Sequence, residues 1–159
     1  PVVNRRLYYG VDILGMKAII NKKGAFDYEI LEKFEAGIAL KGFEVKSIKT
    51  GRINLRGSFV TVKNNELYLT GANIAPYQPK NTPLDYDPTR SRKLLLNNKE
   101  IKYLIGKSQQ KGLTLIPVCV YIKNNLIKLE FGVAKGKKKY DKREIIKKRE
   151  FKKLVLPIF

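Results

Sequence analysis

Two stretches of the chain alternate apolar and polar residues on either side of an Asn-Asn pair, a pattern typical of an antiparallel β-hairpin. They are residues 59–63 and 66–70 around Asn64-Asn65, and residues 114–123 and 126–133 around Asn124-Asn125. Asn tolerates the positive φ that a two-residue loop demands. The pattern therefore predicts two hairpins, and Pro117 predicts an edge position or a bulge in the second of them.

The segment before the first hairpin contains two different periodicities. Between residues 25 and 40, β-forming side chains recur at spacings near two, which predicts one or two strands. Val45 and Ile48 then lie three residues apart and Gly51 follows. This spacing predicts a short helix over residues 42–51 that is stopped by Gly51.

A second helix is predicted to begin after Asn97. Asn97 is a good N-cap residue, and Glu100 stands three positions later, as in a capping box. Apolar residues follow at helical spacing, and Gly112 is expected to end the helix. They are Ile101, Leu104 and Ile105.

Together these elements predict a mainly β fold. Residues 78–92 contain three prolines and read as an irregular exposed loop between the hairpins. Six or more short strands with about three helices favour a small antiparallel barrel of the oligonucleotide-binding (OB) type. The expected organisation is an N-terminal extension of uncertain status (1–16), the barrel (17–134) and a C-terminal tail (135–159), with Met16 as an alternative start.

Charge narrows the class of partner. The chain has 33 Lys and Arg against 14 Asp and Glu, a formal net charge of +19. A folded domain with that self-repulsion is expected to bind a polyanion. There is no Trp, and no apolar run approaches the roughly 18 residues needed to span a membrane, so nucleic acid is favoured over a membrane.

The composition disfavours catalysis. The chain has no His, which removes the commonest general base and transition-metal ligand. Its one cysteine, Cys119, lies in an apolar run and is expected to be buried. A metal-dependent nuclease would need clustered carboxylates. Asp85 and Asp87 are the only close pair of aspartates, and no third carboxylate is clustered with them. We expect no enzyme activity, no cofactor and no metal site.

The tail concentrates the positive charge. Residues 135–153 contain eleven Lys or Arg and three acids, too polar to fold alone but able to become helical against a polyanion. Basic residues neutralise phosphates, and Tyr140 among them can stack on a base. The predicted interaction residues are Lys135, Lys137, Lys138, Lys139, Tyr140, Asp141, Lys142 and Arg143. The alternative is a solvated, disordered terminus.

Five ordered sequence blocks resemble the SsrA-binding protein (SmpB) family over about residues 17–150. They are residues 21–30 (NKKGAFDYEI) with 34–38 (FEAGI), 42–47 (GFEVKS), 72–77 (ANIAPY), 87–96 (DPTRSRKLLL) and 132–138 (GVAKGKK). The resemblance implies an OB-type barrel that grips the tRNA-like domain of transfer-messenger RNA and restarts stalled ribosomes. It implies these two partners, no membrane, a monomer and the bacterial cytoplasm, although the Arg5-Arg6 segment leaves organellar targeting open.

By position, the resemblance places RNA-gripping residues at Asn21, Lys22, Glu35, Leu95 and Asn97. Structural roles compete at three of them: a surface salt bridge for Glu35, a core position for Leu95 and the helix cap for Asn97. In the tail, the resemblance implies a helix in the messenger channel that uses the 141–143 unit. The chain departs from its relatives at residues 154–159, where Pro157 would break a helix.

Two further readings come from the residues themselves. Arg90, Arg92 and Lys93 put three cations beside the predicted helix start, either as a phosphate site or as solvated loop charges. The barrel and its charge also suit a general single-strand-binding module, which needs exposed aromatic residues on one sheet face. The candidates Tyr28, Phe59, Tyr68 and Tyr77 are expected to lie in the core instead.

Overall fold

The computed structural model describes residues 7–8, 11–12 and 18–155. The strands are β1 (Leu7–Tyr8), β2 (Val11–Asp12), β3 (Ala18–Ile20), β4 (Tyr28–Ile38), β5 (Ile53–Asn54), β6 (Phe59–Lys63), β7 (Glu66–Thr70), β8 (Asn73–Ile74), β9 (Arg92–Leu95), β10 (Leu113–Lys123) and β11 (Leu126–Gly136). The helices are α1 (Lys22–Asp27), α2 (Gly42–Lys49), α3 (Asn98–Ser108) and α4 (Lys139–Val155), with a 3-10 turn at Pro79–Asn81. Met16 lies outside the described residues.

The main sheet curls into a partly closed ring. Its strand order is β11-β4-β9-β7-β6-β10-β3, and β11 also pairs with β10, so six strands form a circuit with β3 on its edge. All of these pairings are antiparallel. The circuit is weakest between β6 and β10, where one residue pair, Val60 and Leu115, joins the strands. The predicted mainly β antiparallel architecture is confirmed.

Both predicted hairpins are present. Asn64, Asn65, Asn124 and Asn125 all have φ between 51° and 63°, as a tight two-residue loop requires. The register of β10 against β11 shifts between Pro117 and Cys119, because the proline ring supplies no N–H to the ladder. The alternative of a bulge at Pro117 is therefore the one confirmed.

The observed helices agree with the predicted ones less well than the hairpins do. α2 forms as expected, and Gly51 follows it with φ of 80°. α3 begins after Asn97 as predicted but ends at Ser108, so Gly112 (φ 82°) lies in the turn into β10 instead of terminating the helix. The strand predicted from residue 25 begins only at Tyr28, because the preceding residues form α1.

The core fills the ring from alternate strand positions. Its fully buried side chains include Leu67, Leu69, Leu94, Leu129 and Phe131. Helix α3 packs against this core through Leu104, which is also fully buried. Cys119 is buried as expected, and burial, together with the neighbouring Glu130 carboxylate, raises the pKa of its thiol far above the usual range.

A buried ion cluster fixes the long loop to the barrel. The Glu44 side chain of α2 is fully buried and pairs with the guanidinium groups of Arg92 and Arg90. The Lys41 backbone N–H also donates to Glu44 at 2.8 Å. The Tyr86 hydroxyl joins the cluster by accepting from Arg92 Nη2 at 3.1 Å, and it donates to the Ile74 carbonyl at 2.8 Å. Residues 78–92 are thus irregular, as predicted, but the last part of the loop is anchored inside the protein.

This cluster predicts acid sensitivity. Burial alone would raise the pKa of Glu44, but hydrogen bonds from Arg90, the Lys41 backbone and Arg92 outweigh it and lower the pKa from 4.5 to about 2. Because the folded-state pKa is the lower one, this stabilisation is present above pH 4.5 and is lost as pH falls towards 2. The shift corresponds to about 3 kcal/mol. Urea unfolding at several pH values should show this loss in the wild type but not in Glu44→Gln.

Candidate nucleic-acid interface

Four of the predicted RNA-binding residues line one open groove beside the ring. β9 runs next to β4 with Leu95 opposite Gly37, and the groove extends from there to the start of α3. A Cβ atom on Gly37 would lie 3.3 Å from that of Leu95, so the glycine makes room for the leucine. The residues brought together are Glu35, Lys93, Leu95 and Asn97.

Leu95 supplies exposed apolar surface to this groove. Its side chain is 55% exposed, so the alternative expectation that it is a core residue is wrong. A second groove shares Leu95 and continues to Leu126, which is 59% exposed. Apolar side chains that face solvent next to polar ones can pack against unstacked bases.

Glu35 is held by a tyrosine and a lysine from the neighbouring hairpin. Tyr121 donates its hydroxyl hydrogen to Glu35, and the Lys123 Nζ lies 3.7 Å from the same carboxylate. Burial and the bond to Glu35 both raise the pKa of Tyr121, which keeps it a neutral donor. The expected surface salt bridge is present. The Glu35 side chain is still 41% exposed, so it can accept hydrogen bonds from base or ribose donors.

Asn97 has the structural role that was predicted for it. Its Oδ1 accepts from the Glu100 N–H at 2.9 Å, and its Nδ2 donates to Glu100 Oε1 at 2.6 Å. A side-chain amide has two donors and two acceptor sites, so one of each stays available. Lys93, on β9, is 46% exposed and lies 3.7 Å from Glu66.

Asn21 lies apart from this groove and is buried. Its Nδ2 donates to the Pro117 carbonyl at 2.8 Å, and its Oδ1 accepts from the Gly24 N–H at 3.0 Å, which caps α1. A Cβ atom on Gly24 would lie 2.4 Å from the Asn21 Nδ2, so only glycine fits there. Asn21 therefore builds the helix that presents Lys22, which is exposed.

The expected phosphate site of three adjacent cations needs correction. Arg92 is fully buried, and its donors go to Glu44 and to the carbonyls of Ala72 and Pro88. It has no surface from which to reach a phosphate. The neighbouring Arg90 is partly exposed but also pairs with Glu44. Of the three cations, Lys93 is the one placed at the groove.

The predicted tail residues divide into two groups. Two are anchored to α1: Lys137 Nζ donates to the Ala25 carbonyl at 3.0 Å, and Lys142 Nζ lies 3.2 Å from Asp27. Lys135 is still part of β11, opposite Glu29. The exposed group comprises Lys138, Asp141 and Arg143. Lys139 and Tyr140 begin α4, and their side chains lie outside the described part.

α4 forms in the isolated chain, where its basic residues contact an aromatic ring. The Lys142 Nζ and the Arg149 Cζ lie 6.0 Å and 5.5 Å from the centre of the Phe26 ring. The sequence-based interpretation missed these contacts because it placed Phe26 in a strand. That the tail binds a polyanion stays a prediction. Leu154 and Val155 end α4, and residues 156–159, including Pro157, lie outside the described residues.

Other candidate chemistry is placed away from this interface. Asp87 Oδ1 accepts from the Thr89 N–H at 2.9 Å and caps a turn in the long loop. Phe59 is 37% exposed and packs edge-on against the partly buried Tyr28, so the expectation that both lie in the core is wrong. Tyr68 and Tyr77 are also only partly buried. Across the described residues, we find neither a metal-binding cluster of His, Cys, Asp and Glu nor a helix able to cross a bilayer.

Comparisons with known proteins place these features in a family. Residues 18–156 match the family described as SmpB protein. An SsrA-binding protein from Carboxydothermus hydrogenoformans is 55% identical over 130 residues, covering 82% of this chain and 87% of the relative. One from Persephonella marina is 52% identical over 141 residues, covering 88% and 92%. A chain of the solved structure "tmRNA-SmpB: a journey to the center of the bacterial ribosome" is 44% identical with a TM-score of 0.64, covering 81% and 94%.

Proposed function

This chain belongs to the SmpB protein family, and from that premise we propose that it binds the tRNA-like domain of transfer-messenger RNA and delivers it to stalled ribosomes for trans-translation. In this process an incomplete peptide is tagged and the ribosome is released. The chain acts as a monomeric binding protein without catalytic activity of its own. It acts in the bacterial cytoplasm, together with its partner, the ribosome.

The observation that carries the proposal is the groove formed by Glu35, Lys93, Leu95 and Asn97. A cation, an apolar surface, an amide and carboxylate acceptors lie together there, since Glu66 and Glu100 also line the groove. This set suits a folded RNA that presents ribose hydroxyls and unstacked bases. The net charge of +19 supports the same class of partner. A protein that binds phosphates alone would gain nothing from the carboxylate of Glu35.

The two parts of the chain have different tasks in this proposal. The barrel holds the RNA partner through Glu35 and its neighbours in the groove. α4 carries most of the tail cations. Its residue Arg143 and Lys138, which directly precedes the helix, are exposed, so ribosomal RNA can reach them. Lys137 and Lys142 fix the beginning of the tail to α1.

A binding competition tests the proposal. The full-length chain is titrated with transfer-messenger RNA, with random-sequence RNA of equal length and with single-stranded DNA, each at about 50 mM and about 200 mM salt. Phosphate contacts weaken in all three cases as salt rises, whereas contacts to bases and ribose do not. We therefore expect the preference for transfer-messenger RNA to persist and to widen at the higher salt concentration.

The competing function gives a different result. A general single-strand-binding module would bind all three ligands with similar affinity at both salt concentrations. Equal affinities would therefore overturn the proposed function. Binding that is preferential at low salt but equal at high salt would also count against it, because specificity would then rest on charge alone.

A further inference from the structure

A third groove, which is basic, lies where α1, the turn between β5 and β6, and α4 meet. It is lined by residues from these elements and from the ends of β3 and β5: Ile20, Asn21, Lys22, Lys23, Phe26, Asn54, Arg56 and Arg149. Four of these residues are cations, and none is an acid. Apart from Lys22, the sequence-based site prediction includes none of these cations.

Three of the four cations have no acidic partner in the part of the chain that the structure describes. Within residues 18–155, no carboxylate lies within ion-pair distance of Lys22, Arg56 or Arg149, whereas Lys23 pairs with Asp27 at 3.1 Å. All four cations are exposed. Like charges that converge on one groove repel one another, and a bound anion removes that repulsion.

The two arginines are held in place by different contacts. The Arg149 guanidinium lies over the Phe26 ring, 5.5 Å from its centre, so its position is fixed by stacking and its N–H groups are not consumed. The Arg56 backbone N–H donates to the Asn54 Oδ1 at 2.9 Å, which fixes the turn that presents the arginine side chain. A guanidinium can bind two phosphate oxygens at once.

We propose that this groove binds backbone phosphates of RNA, with Arg56 and Arg149 as its principal ligands and Lys22 and Lys23 beside them. The proposal rests on the RNA-binding function proposed above. The groove is complete only when α4 lies against α1, so RNA bound there also holds the beginning of the tail on the barrel. Both the tRNA-like RNA and ribosomal RNA supply the same phosphodiester chemistry.

Salt titrations of charge-neutral variants test this site. Each phosphate contact contributes about 0.7 to 0.9 to the slope of log affinity against log salt. Arg56→Gln and Arg149→Gln should each lose one such increment, so that raising salt from about 50 to about 200 mM weakens their binding about threefold less than it weakens the wild type. Lys63→Gln, which removes an exposed charge outside the groove, should keep the wild-type slope.

Two experimental arms separate the RNA sources. In one arm the ligand is the tRNA-like fragment of transfer-messenger RNA, and in the other the preassembled complex binds small ribosomal subunits. A reduced slope for both arginine variants in either arm supports the groove and identifies its ligand. Wild-type slopes for both variants in both arms, or an equal loss in Lys63→Gln, would overturn it. Equal wild-type affinity for all RNAs would refute the proposed function, and the slopes would still decide the groove.

Discussion

Replacing Glu44 with alanine is expected to lower the free energy of unfolding by about 4 kcal/mol, since removing one partner of a buried ion pair typically costs 3–5 kcal/mol. The Arg92 guanidinium would stay fully buried without its counter-charge. Arg90 and the Lys41 backbone N–H would also lose their acceptor. Domains of this size are stable by roughly 5–15 kcal/mol in total, so the variant should be close to unfolding.

Glu29→Ala is the matched control for this prediction. Glu29 is also paired with a cation, Lys135 at 3.7 Å, but its side chain is 57% exposed. Exposed pairs contribute about 0–1 kcal/mol, so this variant should be nearly as stable as the wild type. Urea unfolding with an unchanged m-value measures both. If Glu44→Ala lowers the free energy of unfolding as little as Glu29→Ala does, the buried cluster does not hold the loop.

Local signals in the sequence were sufficient for about half of the fold. The Asn-Asn loops, the bulge at Pro117 and the cap at Asn97 each depend on the backbone preference of one or two residues, so they can be predicted without knowing the rest of the chain. A mainly antiparallel sheet also follows, because long hairpins with one apolar face must bury that face against another element.

Other features depend on partners that are distant in sequence. α1 was missed because its six residues are too few to be helical on their own, and its cap depends on the contact between Asn21 and the Pro117 carbonyl. Arg92 was assigned to the surface because a cation in a Pro-rich loop normally lies there, and its partner Glu44 is 48 residues away. A buried carboxylate and two arginines can be paired only once the sheet is known.

In the candidate interface, too, some features could be predicted from the sequence and others depend on distant contacts. Resemblance to a family selected Glu35, Leu95 and Asn97, and the pairing of β4 with β9 explains why residues about 60 positions apart can act together. No pattern in the sequence indicates that Arg149 reaches Phe26, since the contact depends on how α4 packs against α1. The charge count predicts a polyanionic partner, but the fold determines which cations are free to bind it.

Neutralising four tail cations, Lys137, Lys138, Lys142 and Arg143, each to Gln, is expected to reduce peptide tagging on stalled ribosomes to background. Two of them fix the tail to α1, and the other two are exposed for ribosomal contact. Their loss removes both the anchor and part of the charge that binds ribosomal RNA. Because none of them lines the groove at Leu95, affinity for the tRNA-like domain should fall by less than it does in Glu35→Ala.

Glu35→Ala should give the reverse pattern. The variant keeps all four tail cations but loses the acceptor in the groove and the partner of Tyr121, so its affinity for the tRNA-like domain should fall about tenfold, as for a lost charged hydrogen bond. Tagging should then recover when transfer-messenger RNA is supplied in excess, whereas excess RNA should not rescue the tail variant. Both readouts come from translation of a messenger without a stop codon and from equilibrium RNA binding. Normal tagging by the tail variant, or rescue of both variants by excess RNA, would show that barrel and tail do not divide the two partners between them.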